Sequence, residues 1–181
     1  MHVEQLTELL IDEVRDLYHA EKQLVQALPK MAKAAESREL RDAFEEHKKE
    51  TETHVARLEE VFVLLDTPAK AKACKGMQGL LAEGDEALQN GQKGFQRDLA
   101  LIGAAQRVEH YEIAAYGTAH AMAEQLGDSQ VTRLLMQTAS EEKSADRLLT
   151  TIADRIYRNA GSGHPAARTA NGRSKAEHMH A

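Results

Sequence analysis

The chain has 181 residues, enough for one domain with a sizeable core, and its formal net charge of -6 argues against nucleic acid as a main partner. Helix formers dominate, Pro occurs three times and Trp is absent, so the composition leans strongly to helix. No apolar run reaches membrane-spanning length, no basic segment followed by an apolar core opens the chain, and Cys74 is the only cysteine. These features exclude an intrachain disulfide and a four-cysteine metal knuckle; the expected setting is the cytoplasm, with no membrane partner.

The first predicted helix starts near Val3 and carries the stripe Leu6, Leu10, Val14, Leu17, Glu21, Leu24, Leu28, Met31 at steps of three and four. Pro29 should bend it or end it at Leu28, with a further turn or two beyond. The second covers about 39–65, with Leu40, Phe44, His47, Glu50/Thr51, His54, Leu58, Val61 and Leu65 inward, and Asp66-Thr67-Pro68 stops it. From 68 to 94 the pattern breaks, apart from one short helix within MQGLLAEGDEALQNG. A connection of roughly 25 residues is far longer than adjacent antiparallel helices need, and it can travel the length of a bundle.

The third long helix, about 95–126, has an apolar stripe interrupted by acids: Ile102, Ala105/Gln106, Glu109, Glu112/Ile113, Tyr116, Ala119, Ala123. After a turn at Gly127-Asp128 the fourth runs from about 129 to 157, with Leu135, Thr138, Glu142, Ala145, Leu149, Ile152 and Ile156 inward and Asp146 one turn beyond Glu142. The expected architecture is all-α: a four-helix bundle over 1–160, with a long crossover between the second and third helices that contains the short helix. Residues 161–181 lack periodicity and are expected to form a disordered tail.

Each hairpin turn lies about 14–19 residues from the polar interruptions on its helices, or about 21–29 Å at helical rise, in helices of about 30 residues. All four interruptions therefore fall near mid-bundle. A single inward Glu more often snorkels or pairs with a neighbouring helix than binds metal. Four aligned interruptions are different. Glu21, Glu50, His54, Glu109, Glu112, Glu142 and Asp146 would bring six carboxylates and an imidazole together, with severe repulsion and desolvation unless cations sit among them. Two divalent ions bridged by carboxylates resolve both problems, and oxygen-rich ligation with a little nitrogen suits iron or manganese better than structural zinc.

The phrases DLYHAEKQL, ALPKMAKAA, HKKETETHV, QRVEHYEIAAYG and EEKSADRLL resemble the YciE/YciF family of stress-associated proteins in the ferritin-like superfamily, over about residues 3–159. By that resemblance Glu21 is a terminal ligand of the first metal, Glu50 bridges and His54 supplies nitrogen. Glu109 is the third-helix carboxylate, Glu112 an extra one of rubrerythrin-like type, and Glu142 bridges. Asp146 stands where the superfamily has histidine. Two departures accompany the resemblance: His54 follows Glu50 by four residues rather than three, and the fourth helix has no histidine.

The resemblance implies two iron ions, with manganese as the other candidate, and a ferroxidase-like reaction of ferrous iron with dioxygen or hydrogen peroxide in stress or iron homeostasis. A peroxidase or manganese catalase-like enzyme is one alternative. A peroxidase would need an external electron donor protein, since one cysteine cannot build a rubredoxin centre. A non-catalytic helical stress protein, with a structural metal site or a protein partner, is the other. Nothing resembles the short fifth helix of ferritin, so a homodimer is expected rather than a cage.

Other residues receive lesser roles. His47 lies on the ligand side, one turn before Glu50, and either reaches metal or holds a ligand carboxylate. Glu141 would exchange places with Glu142 under a one-residue phase error. His19 and His110 point about 100° away from their neighbouring acids, toward the surface or the site's margin. Tyr18, Tyr111 and Tyr116 are read first as packing, with donation to ligand carboxylates as the alternative. Cys74, among lysines in AKAKACKG, would be reactive if they lowered its pKa. His164 and the terminal HMH are read as solvated.

Overall fold

A computed structural model of the protein describes residues 3–161. Five helices are formed: α1 (Val3–Ala34), α2 (Arg38–Leu64), α3 (Lys75–Gln89), α4 (Phe95–Leu126) and α5 (Ser129–Gly161). No strand occurs among the described residues. The expectation of a disordered tail falls on residues outside those described, apart from Gly161, which closes α5.

Pro29 does not end α1, which continues to Ala34 with Met31 and Ala32 buried. Packing of that last stretch outweighs the backbone hydrogen bond that proline removes. The α1–α2 turn is held from a distance. Ser37 is the N-cap of α2 but makes no side-chain cap bond; the buried carboxylate of Asp98, on α4, instead accepts from the N–H groups of Glu36 and Ser37, both at 2.8 Å. Between α4 and α5 the chain reverses in two residues. Gly127 takes the left-handed conformation (φ 74°) that ends many helices. Asp128 then accepts from the N–H groups of Gln130 and Val131, which start α5.

The four long helices pack in a ring, α1 on α2, α2 on α5, α5 on α4 and α4 on α1, while α3 packs against α4 and α1. The segment before α3 is pinned to α1 by the N–H of Lys72, which donates to the carbonyl of Arg15 at 3.0 Å. The core divides into two apolar clusters. One holds Leu24, Leu28, Leu40, Phe44, Leu101, Ile102, Val108, Leu149 and Ile152. The other holds Leu10, Val14, Leu17, Leu58, Val61, Phe62, Ala115, Ala119, Leu134 and Leu135. Where the two clusters meet, every long helix carries at least one buried polar residue.

Candidate metal centre

That intervening layer consists of Glu21 from α1, His47, Thr51 and His54 from α2, Glu109 and Glu112 from α4, and Thr138 and Glu142 from α5, all buried. Helical periodicity places them there, because each continues the apolar stripe of its own helix. Glu142 is the hub. Its Oε1 lies 2.8 Å from Nδ1 of His54, whose same nitrogen is 3.5 Å from Oε1 of Glu21. Its Oε2 lies 3.8 Å from Nε2 of His47, which is 3.2 Å from Oε1 of Glu109. Two potential ligand groups result, Glu21–His54–Glu142 and His47–Glu109–Glu142, each with donor atoms within 4.8 Å of one another. Tyr116, fully buried, donates to Oε1 of Glu21. Both oxygens of Glu112 are buried in the same layer without a hydrogen-bond partner.

Of the seven residues singled out from the sequence, five share this layer: Glu21, His54, Glu109, Glu112 and Glu142. Glu50 and Asp146 stand apart from it. The inward position on α2 is Thr51, whose hydroxyl donates to the carbonyl of His47, so α2 contributes two imidazoles and no carboxylate to the buried layer. Glu50 is half-buried, 3.6 Å from Nδ1 of His47. Asp146 turns toward α4, accepting from Gln106 at 3.0 Å and lying 3.5 Å from the exposed His110. The residue underrated by sequence reasoning is His47. Its place in the series Phe44, His47, Thr51, His54 was the available signal.

Each histidine has one nitrogen toward the buried carboxylates and the other toward an outer one. For His54 the outer partner is Glu141, 3.0 Å from Nε2. Glu141 is in turn gripped by Arg57, with Nη1 at 2.6 Å from Oε2 and Nη2 at 3.3 Å from Oε1, and by Gln137 at 3.0 Å. Burial works to raise the pKa of Glu141, but Arg57 and Gln137 outweigh it and hold the group below the ordinary carboxylate range. Glu50 is also held low, chiefly by His47. Ionised outer carboxylates fix the proton on the distal ring nitrogen and leave the inner nitrogen's lone pair for a cation. Glu50, His54 and Glu141 also have donor atoms within 4.8 Å of one another, but Arg57 already supplies the positive charge there.

Inside the layer the electrostatics run the other way. Burial pushes Glu112 well above the ordinary carboxylate range, reinforced by Glu21, Glu142 and Glu109. Burial likewise raises Glu21 and carries Glu142 up to about 7. Burial opposes the charge on His54, yet Glu142 and Glu21 outweigh it and push the pKa up to about 10. His47 is raised well above its ordinary value in the same way, burial being overcome by Glu109. Without a cation, this layer recruits protons.

A metal fits these residues on a specific observation. Nine buried side-chain atoms of the layer lack a hydrogen-bond partner: Oε2 of Glu21 and Glu109, both oxygens of Glu112 and Glu142, both ring nitrogens of His47 and Nδ1 of His54. His54 Nδ1 is 2.8 Å from Glu142 but without hydrogen-bond geometry. Leaving so many buried polar atoms unpaired would be costly, at about 1–3 kcal/mol for each group. The grouped carboxylate oxygens and imidazole nitrogens could hold a metal ion.

The condition for a reactive Cys74, a pKa lowered by its neighbouring lysines, is not met. Cys74 is fully buried, and burial pushes its pKa up. It caps α3, accepting from the N–H of Met77 at 3.3 Å, and lies 2.9 Å from the hydroxyl of Tyr111, which donates to Asp16. His19 accepts from the N–H of Cys74 at 3.1 Å. These contacts tie α3 to α1 and α4.

Fold and site together define an all-helical protein with a buried glutamate–histidine layer able to take a metal. Residues 5–161 match the family described as "Domain of unknown function (DUF892)", and the chain belongs to that family. It is 42% identical over 155 residues to Protein YciF of Escherichia coli (strain K12), across 84% of this chain and 93% of that protein. The crystal structure of the E. coli stress protein YciF matches with a TM-score of 0.82 at 40% identity, covering 84% of this chain and 97% of that one. YcfI of Rhodopseudomonas palustris, provisionally described as a structural protein, matches with a TM-score of 0.79 at 39% identity over 81% and 93% of the two chains. A protein from Xanthomonas campestris pv. campestris, at 21% identity and a TM-score of 0.69 over 87% and 97% of the two chains, shares the fold. No helix among the described residues is long and apolar enough to cross a membrane.

Proposed function

We propose that this protein is a ferritin-like di-metal carboxylate protein acting, ferroxidase-like, on ferrous iron with dioxygen or hydrogen peroxide. In this reading α1, α2, α4 and α5 are the four helices of the bundle, and the connection carrying α3 is its crossover. The observation that carries the proposal is the set of nine orphaned oxygen and nitrogen atoms at mid-bundle. The four buried glutamates of that set match the charge of two divalent cations when both histidines are neutral. Glutamate oxygen with two imidazoles suits iron first and manganese second.

The chain's residues would divide the work as follows. Glu142 would be shared between the two positions, His54 with Glu21 would complete one, and His47 with Glu109 the other. Glu112 would offer a further carboxylate to either. The hydrogen bond from Tyr116 would fix the rotamer of Glu21, while Glu141 with Arg57 would orient His54. Bound iron would supply the electrons that reduce the oxidant. The stress setting is supported by the description of the E. coli relative as a stress protein.

A second reading draws on the description given to the R. palustris relative: a structural protein in which the same layer binds metal for stability alone. One experiment separates the two. Ferrous iron is added anaerobically and air is then admitted while near-ultraviolet absorbance and oxygen are followed. Ferroxidase action predicts oxygen uptake with growth of a ferric band, both abolished by Glu142→Ala. Metal binding without oxygen uptake would leave the structural reading in place.

A further inference from the structure

Counted from Glu142, the Glu-x-x-His spacing of bundle sites falls on Ala145, one residue before the Asp146 that the family resemblance set in the histidine's place. In this chain the corresponding nitrogen comes from across the helix seam, from His47 on α2, and the α5 side chain stops at its Cβ. The space beside Ala145 belongs to a pocket between α2 and α5 whose volume, about 20 Å³, accommodates one water-sized molecule. Ala43, Phe44, Ala145, Leu148 and Leu149 form its walls, and His47 and Glu109 are the polar residues that line it. Leu148 is 46% exposed, so the pocket begins at the surface, while His47 and Glu109 carry orphaned atoms of the buried layer.

Those walls offer methyl groups and a phenyl ring. A hydrated ion would have to shed water there with nothing to replace it. A small neutral apolar molecule gives up no hydrogen bonds on entering. The site's other surroundings are the two apolar clusters and a polar rim of Glu50, Glu141 and Arg57 against the outer edges of the two imidazoles, so the pocket is the apolar approach to His47.

We infer that this pocket admits dioxygen to the His47 side of the centre, with Ala43 and Ala145 setting its width. What the oxygen is used for rests on the di-metal reading above; its binding in the pocket does not. The bulk of a histidine at 145 would close the approach, so moving the nitrogen ligand to α2 opens it.

The test uses the full-length protein with Ala and Leu methyls isotopically labelled, under raised oxygen pressure, with paramagnetic relaxation read by NMR. The methyls of Leu149 should relax several-fold faster than those of the comparably buried Leu101 and Leu135, and those of the half-buried Ala43 and Ala145 at least as fast as Leu149. Ala145→Leu, or Ala145→Val if the larger side chain prevents folding, should remove that excess while leaving the zinc-binding isotherm unchanged. The same variant should slow oxidation of added ferrous iron by dioxygen several-fold. Uniform relaxation across all five residues would overturn the inference. So would an excess that persists with the pocket filled. An excess at the pocket in a protein that never oxidises ferrous iron would uphold the inference and sink the ferroxidase reading instead.

Discussion

Glu141 lies 3.0 Å from Nε2 of His54, on the opposite edge of the ring from Glu142. An imidazole held between two carboxylates has its tautomer chosen for it: the outer one takes the N–H and the inner one faces the lone pair. Outer carboxylates of this kind are worth about 10–100-fold in metal affinity. Glu141→Ala should therefore weaken divalent metal binding by about that factor, as measured by competition titration with a chromophoric chelator. Glu141→Gln, which keeps an acceptor oxygen, should recover part of the loss. An unchanged affinity in Glu141→Ala would show that His54 is oriented by packing alone.

Glu112 gives a prediction of opposite sign for stability and function. It is fully buried, neither oxygen has a partner, and three other glutamates raise its pKa further after burial. Glu112→Gln removes a group that is costly in the metal-free fold, so the chelator-treated variant should be more stable by about 1–3 kcal/mol in urea denaturation. It should bind less metal than the parent. A variant less stable than the metal-free parent would show that Glu112 has a partner in solution.

The pH dependence follows from the histidines. His54 is raised from 6.5 to about 10 in the fold, so the folded state holds more protons than the unfolded one, and stability falls with rising pH. The contribution is fully present below pH 6.5 and is lost as pH rises through about 10. His47 acts in the same direction. Glu142, raised from 4.5 to about 7, adds a loss at the lower end. Chelator-treated protein should become progressively easier to unfold between pH 6.5 and 10, and His54→Gln should flatten the slope. Metal affinity should rise over the same range, since those protons must leave before a cation binds. Flat stability across the range in the parent would contradict the assignment.

Asp98 supports a prediction away from the centre. Its carboxylate takes the N–H groups of Glu36 and Ser37, the two residues that lead into α2. Charge-assisted bonds of this type contribute about 1.5–3 kcal/mol. Asp98→Ala should lower the urea midpoint by a corresponding amount without altering metal stoichiometry. A loss below about 0.5 kcal/mol would mean that solvent replaces these bonds.

The long helices were legible in the sequence because their stripes are long and their breaks carry turn chemistry; α4 has the boundaries read from its periodicity. Glu21, Glu109 and Glu142 were legible as polar residues on otherwise apolar stripes. Glu50 and Asp146, counted with the ligands from the sequence, lie outside the buried layer for one physical reason. A helical repeat of about 3.6 lets a stripe step by three or four, and only the neighbouring helix decides which. On α2 the step falls on Thr51. On α5 it falls at Ala145, beside the pocket, which turns Asp146 toward Gln106. Asp98 was invisible for a different reason, since it holds a turn 61 and 62 residues away in sequence.

In the proposed centre Glu142 would join two cation positions, one completed by Glu21 and His54 and the other by His47 and Glu109. Anomalous diffraction from crystals equilibrated with ferrous or manganous ion tests it most directly. Two peaks are expected on either side of the Glu142 carboxylate, one within coordination distance of His54 Nδ1 and one of His47 Nε2. No peak in the buried layer, or metal bound only at Asp146 or on the surface, would contradict it.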